Sequence, residues 1–182
     1  VILRANQKPG DRPRSIAHLL DQRASEHPDR PYMKQRLPNA PGAPLGPWRQ
    51  ITYGEAKTVS DRLAQALINL GLGPNAPLMV LSGNAIEHAM LTFAAMKARA
   101  PVAPMSVPYS LMSTDLGKLR HAFRLLKPKA VFVQTLAPFA AAIAALNEEA
   151  GHPLTIITAD TGSHPGALAY GDLARTEIDE AV

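Results

Sequence analysis

The sequence predicts an α/β fold, in which helices cover both faces of a parallel β-sheet and a small hairpin lies near the N-terminus. Four short apolar runs, at residues 78–81, 102–105, 130–133 and 154–157, alternate with segments of helical periodicity. Strands that are apolar throughout are typical of parallel sheets, because helices cover both faces of such sheets. With 182 residues, of which 46% are hydrophobic, the chain can bury one substantial core.

The stretch between the first two apolar runs is the unit from which we expect the sheet to grow. A strand, a helix over residues 86–96 and a second strand form a parallel βαβ unit. We expect Asn84 to cap the helix, with Glu87 completing the cap three residues later. After the second strand, Pro108 indicates a loop.

The sequence of the N-terminal region predicts an extended arm, a helix and a hairpin. Residues 1–14 are polar and contain two prolines, so we expect an extended arm. Ser15 is a candidate cap for a helix that ends near His27. Its predicted apolar stripe consists of Ile16, Leu19, Leu20 and Ala24, with the stem of Arg23. Residues 31–36 and 48–52 can pair around a loop at 37–47 that is rich in Pro and Gly.

Three further helices are predicted from caps and periodicity. Thr52 and Glu55 form a capping-box pattern before a helix that Gly71 ends. Ser113 or Thr114 is expected to start a second helix, and Pro138 a third. The inward positions of these last two helices are Leu116, Leu119, Phe123 and Leu126, and Phe139, Ala142, Ile143, Leu146 and Ala150, respectively.

Composition excludes several classes of site. The chain has no cysteine, so disulfides, thiolate metal sites and cysteine nucleophiles are ruled out, and a reducing compartment such as the cytoplasm is compatible. No apolar run reaches the roughly 18 residues that span a bilayer. We expect no membrane partner and no nucleic-acid partner, because aromatic residues are not interleaved with the basic ones. The chain starts at Val1 and stops at Val182 beside an acidic segment, which suggests a fragment.

The titratable residues show no catalytic set. None of the six histidines has metal-ligand spacing, so we expect no metal site, and His88 is the first one to test. A basic face follows the central unit, and we interpret it as solvated or as a weak attraction for a phosphorylated cofactor. It consists of Lys118, Arg120, His121, Arg124, Lys127 and Lys129.

Two short segments could contact a ligand. Residues 161–166 resemble a phosphate loop but lack its lysine, so an ordinary turn is expected. Residues 82–84 follow a strand at the edge where open α/β sheets bind ligands, although a helix cap explains them equally well. An alternative function is therefore a non-catalytic nucleotide- or partner-binding module that uses the strand ends near Ser82 and Ser106.

Several segments, taken in order, resemble the adenylate-forming enzymes, the acyl-CoA synthetase and AMP-binding superfamily. Residues 48–55 (WRQITYGE) resemble its W-R-x-(I/L)-(T/S)-Y-x-E entry, while 70–72 (LGL) and 80–88 (VLSGNAIEH) are similar to its L-G-(L/V) and S-G-N-S-x-E-H segments. Residues 104–113, 119–121 and 126–132 look closest to the feruloyl-CoA synthase branch.

The resemblance implies a two-step ligase reaction. A carboxylate attacks the α-phosphate of ATP to give an acyl-adenylate and pyrophosphate, with Mg²⁺ balancing charge, and the thiol of coenzyme A then displaces AMP. The partner would be a small aromatic or other carboxylic acid, and a homodimer is one assembly that the resemblance allows. The family's catalytic motifs are missing here, so no catalytic residue is assigned and this chain alone would be inactive.

The same resemblance indicates where a cofactor could lie. Residues 15–182 would be the first, incomplete part of the large N-terminal domain. In relatives, the loop after the strand at 102–105 lies near the nucleotide end of coenzyme A. The corresponding candidates are Pro108, Tyr109 and Ser110, with Lys118 or Arg120 in place of the basic residue that some relatives carry in that loop. The family's common glycine before this strand is replaced by Arg99 and Ala100.

Overall fold

The computed structural model describes residue 10 and residues 12–36, 46–161 and 164–179. Its helices are α1 (Ile16–Glu26), α2 (Tyr53–Asn69), α3 (Ile86–Lys97), α4 (Val107–Leu111), α5 (Gly117–Leu126), α6 (Leu136–Ala150) and α7 (Tyr170–Leu173). Its strands are β1 (Pro31–Arg36), β2 (Trp48–Thr52), β3 (Leu78–Leu81), β4 (Val102–Pro104), β5 (Ala130–Val133), β6 (Thr155–Thr158) and β7 (Ala167–Ala169).

The predicted parallel sheet is confirmed. Five parallel strands lie in the order β4-β3-β5-β6-β7, and β3 and β5 are buried along their whole length. Alternate residues of these strands enter two separate cores: Leu78 and Val80 face α1, α2 and α3, whereas Met79 and Leu81 face α5 and α6. Helices therefore cover both faces of the sheet, as the continuous apolar runs predict.

The predicted hairpin is also confirmed. Strands β1 and β2 pair antiparallel as a separate two-stranded sheet. Residues 37–45 of the loop between them, and most of the predicted arm, lie outside the described residues. The ring of Tyr32 on β1 packs at a tilt against the rings of Tyr53 and Phe93, with centroids 4.6 and 6.1 Å away, so the hairpin packs on the start of α2 and on α3.

Several helix ends follow the local pattern. The Ser15 side chain accepts a hydrogen bond from the His18 backbone N–H at 3.0 Å, and Thr52 and Glu55 form both hydrogen bonds of a capping box. Beyond α2, Gly71 has a φ of 80°, and Leu72 donates a backbone hydrogen bond to Leu67. This Schellman arrangement requires a left-handed residue, which glycine adopts without strain.

Four local predictions are wrong. Asn84 is not the cap of α3, because Ala85 holds that position without a side-chain bond. The loop expected at Pro108 is the short helix α4, in which proline suits the first turn because its missing N–H has no helical partner there. Ile16 is 61% exposed, since the buried stripe of α1 runs through Ala17. Helix α5 starts only at Gly117.

The last strand and helix were not predicted. Residues 164–166 lead by a turn into β7, which adds to the edge of the sheet beside β6 and precedes α7. Residues 162–163 of the segment expected to be an ordinary turn lie outside the described residues. Strand β7 has three residues and only partial burial, so it lacks the apolar run that identifies the other parallel strands.

An ion cluster joins the first three helices. The ammonium group of Lys97 on α3 is bonded to Asp21 of α1, at 2.7 Å, and to Asp61 of α2. Only 8% of the Lys97 side chain is exposed, so these carboxylates compensate a charge that is almost fully removed from water.

We therefore expect Lys97→Met to lower the free energy of unfolding by about 2 kcal/mol, because Asp21 loses its cation and Asp61 keeps only its pairing with Lys57. Equilibrium urea denaturation measures this value. The exposed Lys34→Met serves as the control and should change it little. Equal effects of the two substitutions would show that the cluster contributes no specific stability.

Arg99 provides a second test, since it has a φ of 58° in the turn between α3 and β4. A left-handed conformation is strained for a residue with a Cβ and relaxed for glycine. Arg99→Gly should therefore raise the free energy of unfolding by about 1 kcal/mol, whereas Arg99→Ala, which keeps the Cβ, should not. A stability gain shared by both variants would contradict the strain argument.

Candidate functional site

A group of hydrogen-bonded polar side chains lies where the hairpin meets the carboxyl ends of β3 and β5. We call it the strand-end cluster, and it consists of Gln35, Arg49, Ser82, Glu87 and Gln134. Two of its members belong to the hairpin and three to the parallel sheet and α3. The carboxyl edge of a parallel sheet is where ligands bind in open α/β folds, so this cluster marks the candidate site.

Arg49 and Glu87 form the centre of the cluster. The two terminal nitrogens of the Arg49 guanidinium donate to the two carboxylate oxygens of Glu87 at 2.5 and 2.6 Å. A bidentate pair of this kind fixes both orientation and distance. Because Glu87 is buried and Arg49 belongs to β2, the pair ties the hairpin to the first turn of α3.

Gln35 extends this connection and explains why Asn84 is not needed as a cap. Its amide oxygen accepts one hydrogen bond from Arg49, at 2.6 Å, and another from the backbone N–H of Ile86, at 3.0 Å. A side chain from the hairpin thus satisfies a free donor at the start of α3. Asn84 stays exposed, and Glu87 binds Arg49 instead of completing a local capping box.

The other side of the cluster connects the two central strands. Gln134, just after β5, donates to Glu87 at 3.4 Å and accepts from the Ser82 hydroxyl at 3.1 Å. Ser82 follows β3 directly, and its hydroxyl also contacts the carbonyl of Gly83. The hydroxyl is thereby used within the protein, which favours a structural role for Ser82 over the predicted direct ligand contact.

The electrostatics of the cluster favour two fixed opposite charges. Burial raises the pKa of Glu87, but the hydrogen bonds from Arg49 and the other donors outweigh it, so the pKa lies below its ordinary value. The bond to Glu87 raises the pKa of Arg49. Burial, together with the negative charge of Glu87, also raises the pKa of Tyr170. Glu87 is therefore ionised at neutral pH and suited to positioning rather than to proton transfer.

The five cofactor-binding candidates are only partly brought together. Pro108, Tyr109 and Lys118 line one shallow pocket of about 570 Å³, and the Lys118 ammonium lies 5.1 Å from the centre of the Tyr109 ring. Ser110 is buried, and its hydroxyl has no hydrogen-bond partner within the described ranges. Arg120 points elsewhere and pairs with Glu148 and Glu149 of α6.

The remaining candidates show no metal or catalytic arrangement. In residues 12–36, 46–161 and 164–179, no three His, Asp or Glu side chains lie close enough together to hold a metal ion among themselves. The Nδ1 atom of His88 lies 3.1 Å from the carbonyl of Gly83 and is therefore positioned as a donor. Within the same ranges, no helix is long and apolar enough to cross a bilayer.

Sequence reasoning missed Gln35, Arg49 and Gln134 as members of this site. Arg49 and Glu87 both lie in segments that resemble the adenylate-forming enzymes, so the sequence could have suggested that these two segments contact each other. Gln35 and Gln134 have no comparable pattern, because their partners are distant in sequence.

We expect Arg49→Met to lower the free energy of unfolding by about 3 kcal/mol, because it leaves the buried Glu87 carboxylate without its cation. Replacing both residues, as Arg49→Met with Glu87→Leu, should recover part of the loss. A double variant no more stable than Arg49→Met would contradict this assignment.

The low pKa of Glu87 gives the cluster a pH dependence. Because the pKa of Glu87 is lower in the folded state than its ordinary value of 4.5, ionised Glu87 stabilises the fold at any pH above that value. This stabilisation is lost as the pH falls through the folded-state pKa. Glu87→Gln should therefore be less stable than the unaltered protein at pH 7, and the difference should shrink in acid. Urea denaturation across this range measures it, and a difference independent of pH would refute the role of the charge.

Comparison with known proteins identifies the family. The model of the AMP-binding enzyme family matches residues 20–179. Among curated proteins, phosphinothricin tripeptide synthetase PhsC of Streptomyces viridochromogenes is 27% identical over 162 residues. The match covers 89% of this chain and 13% of that protein, so the chain spans a small part of its relative.

Solved structures share the fold. A benzoate CoA ligase from Burkholderia xenovorans LB400 matches 91% of this chain and 30% of its own, with 16% identity and a TM-score of 0.63. Coronafacic acid ligase from Pectobacterium brasiliense gives the same coverages, 12% identity and a TM-score of 0.69. The family match extends over most of the chain and includes both halves of the strand-end cluster, and the chain therefore belongs to the AMP-binding enzyme family.

Proposed function

We propose that this chain forms the first part of an ATP-dependent acid–CoA ligase that acts on an aromatic acid, as a feruloyl-CoA synthase does. The observation that carries the proposal is the family match over residues 20–179. The segments at 104–113, 119–121 and 126–132 support the aromatic branch through their resemblance to feruloyl-CoA synthase. The benzoate CoA ligase among the structural neighbours is consistent with it, although that likeness concerns the fold alone.

The proposed reaction has two balanced steps. The acid's carboxylate oxygen attacks the α-phosphorus of ATP, the bond to the β-phosphate oxygen breaks, and acyl-adenylate and pyrophosphate form. The sulfur of coenzyme A then attacks the acyl carbon, AMP leaves, and the thiol proton is released. The residues described here would form a wall of the active-site region, with the reacting groups supplied by the rest of the protein, and a cytoplasmic location would provide both ATP and coenzyme A.

The experiment uses the whole protein that contains these residues, incubated with ATP, Mg²⁺ and ferulate, benzoate, octanoate or an amino acid. Pyrophosphate release measures the first step, and formation of the CoA thioester measures the second. We expect ferulate to be activated best and to yield a thioester. Activation of an amino acid without a CoA thioester would instead favour the chemistry of a peptide synthetase, the class of the curated relative. Nucleotide binding without pyrophosphate release would favour a binding module.

We further propose that the pocket beside α4 contacts the nucleotide end of coenzyme A. Pro108, Tyr109 and Lys118 line it. Lys118 is an exposed cation with no acidic partner among the described residues, so it is available to a phosphate. The other two candidates do not line this pocket: Ser110 is buried, and Arg120 pairs with Glu148 and Glu149, so the proposed contact rests on Lys118.

Lys118→Gln tests this assignment. Loss of one exposed charge contact with a phosphate should raise the KM for coenzyme A about fivefold and leave pyrophosphate release unchanged. Arg120→Gln should have a smaller effect, because Glu148 and Glu149 already bind that guanidinium. An unchanged KM in Lys118→Gln, or a larger effect from Arg120→Gln, would contradict the role of Lys118.

A further inference from the structure

A second cavity lies at the opposite edge of the sheet from the strand-end cluster. We call it the amino-edge cleft: it is formed between the carboxyl ends of α5 and α6 and the residues that precede β5 and β6. Its volume is about 840 Å³, which is within the range of small-molecule sites. Phe123, Pro128 and Leu154 supply apolar surface, and Arg124, Lys127 and Lys129 supply positive charge.

The positive charge of the cleft is only partly neutralised. Its one acidic lining residue, Glu149, binds both Arg120 and Arg124, at 3.2 and 2.9 Å. Lys127 and Lys129 make no ion pair with any acidic group in the described part of the chain. The cleft therefore carries two uncompensated cations next to apolar side chains.

Backbone hydrogen bonds hold both lysine residues at the amino edge of the sheet, where they are among the residues that line the cleft. Lys127 ends α5 in a left-handed conformation, with a φ of 46°, and its N–H donates to the carbonyl of Phe123. The N–H of Lys129 donates to the carbonyl of Pro77 at 2.8 Å, and its Cε lies 3.5 Å from the position a Cβ on Gly71 would take. The lysine stem thus lies along the end of α2.

The helix dipole alone does not explain this arrangement. Cations in the last turn of a helix are favoured by the partial negative charge there, which accounts for Arg124 and Lys127 of α5. Lys129 lies beyond that turn, directly before β5, and the dipole gives no reason for a cavity with apolar walls between the two helix ends.

We propose that the amino-edge cleft binds a small organic anion, in which a carboxylate or phosphate group contacts Lys127 and Lys129 and an apolar body contacts Phe123 and Leu154. The concave shape suits a small molecule better than a flat protein surface, and the mixture of apolar walls and cations matches an amphiphilic anion. The inference stands on the cleft itself and does not depend on the proposed ligase activity.

The test combines calorimetric titration with hydrogen–deuterium exchange on the whole protein. Three probes are used in separate arms: ferulate for the carboxylate source, AMP for the phosphate source, and inorganic phosphate as a head group without an apolar body. We expect ferulate or AMP to protect peptides that contain residues 121–130 and 148–156. Inorganic phosphate should protect them much less.

Matched charge variants test whether the lysines of the cleft are responsible for the binding. Lys127→Gln with Lys129→Gln should weaken the cleft-associated binding about tenfold, in line with the loss of two charge contacts. Lys34→Gln with Arg62→Gln removes the same net charge from exposed positions on β1 and α2 and should leave it unchanged. Ala150→Phe, which places a large side chain in the wall, should also reduce binding.

Each contrary result overturns the proposal. Absence of protection in these peptides with both ferulate and AMP would show that the cleft does not bind this class of ligand. Equal weakening of binding by the two double variants would show that the binding depends only on the net charge of the protein. Equal protection by inorganic phosphate, or an unaffected Ala150→Phe, would show that the apolar walls are not used.

Discussion

The bidentate pair between Arg49 and Glu87 is the interaction on which the relation between the two sheets depends. The hairpin is a separate two-stranded sheet, and an isolated hairpin has little stability of its own. Aromatic contacts of Tyr32 hold one side of it, while the ion pair holds the other and fixes its direction. A buried pair that loses one partner is costly, so this geometry permits little sliding of the hairpin on α3.

The same pair determines how the carboxyl edge of the sheet is built. Gln35 reaches the start of α3 because Arg49 holds the hairpin next to it, and Gln134 and Ser82 carry the connection across β5 and β3. Hydrogen bonds between side chains of the protein therefore position the strand ends at the candidate site. The amino edge differs, because Lys127 and Lys129 are left without acidic partners in the described residues.

The architecture could be predicted from the sequence because its main determinants are local. Continuous apolar runs identify buried parallel strands, and Ser15, Thr52 and Gly71 act on backbone groups a few residues away. The candidate site could not be predicted in the same way. The N–H of Ile86 is satisfied by Gln35, and that of Leu136 by Asp160, 51 and 24 residues distant. The sequence suggests a local cap at Asn84, and only the folded chain shows that the distant Gln35 accepts the hydrogen bond instead.

We propose that these residues form the first part of a longer adenylate-forming enzyme. The most direct measurement is the intact mass of the native protein in its source cell, with its peptides sequenced past Val182. We expect a chain much longer than 182 residues that contains a Ser/Thr-Gly-rich loop ending in lysine. A native chain that ends at Val182 would contradict it, because such a protein would lack the phosphate loop on which the proposed chemistry depends.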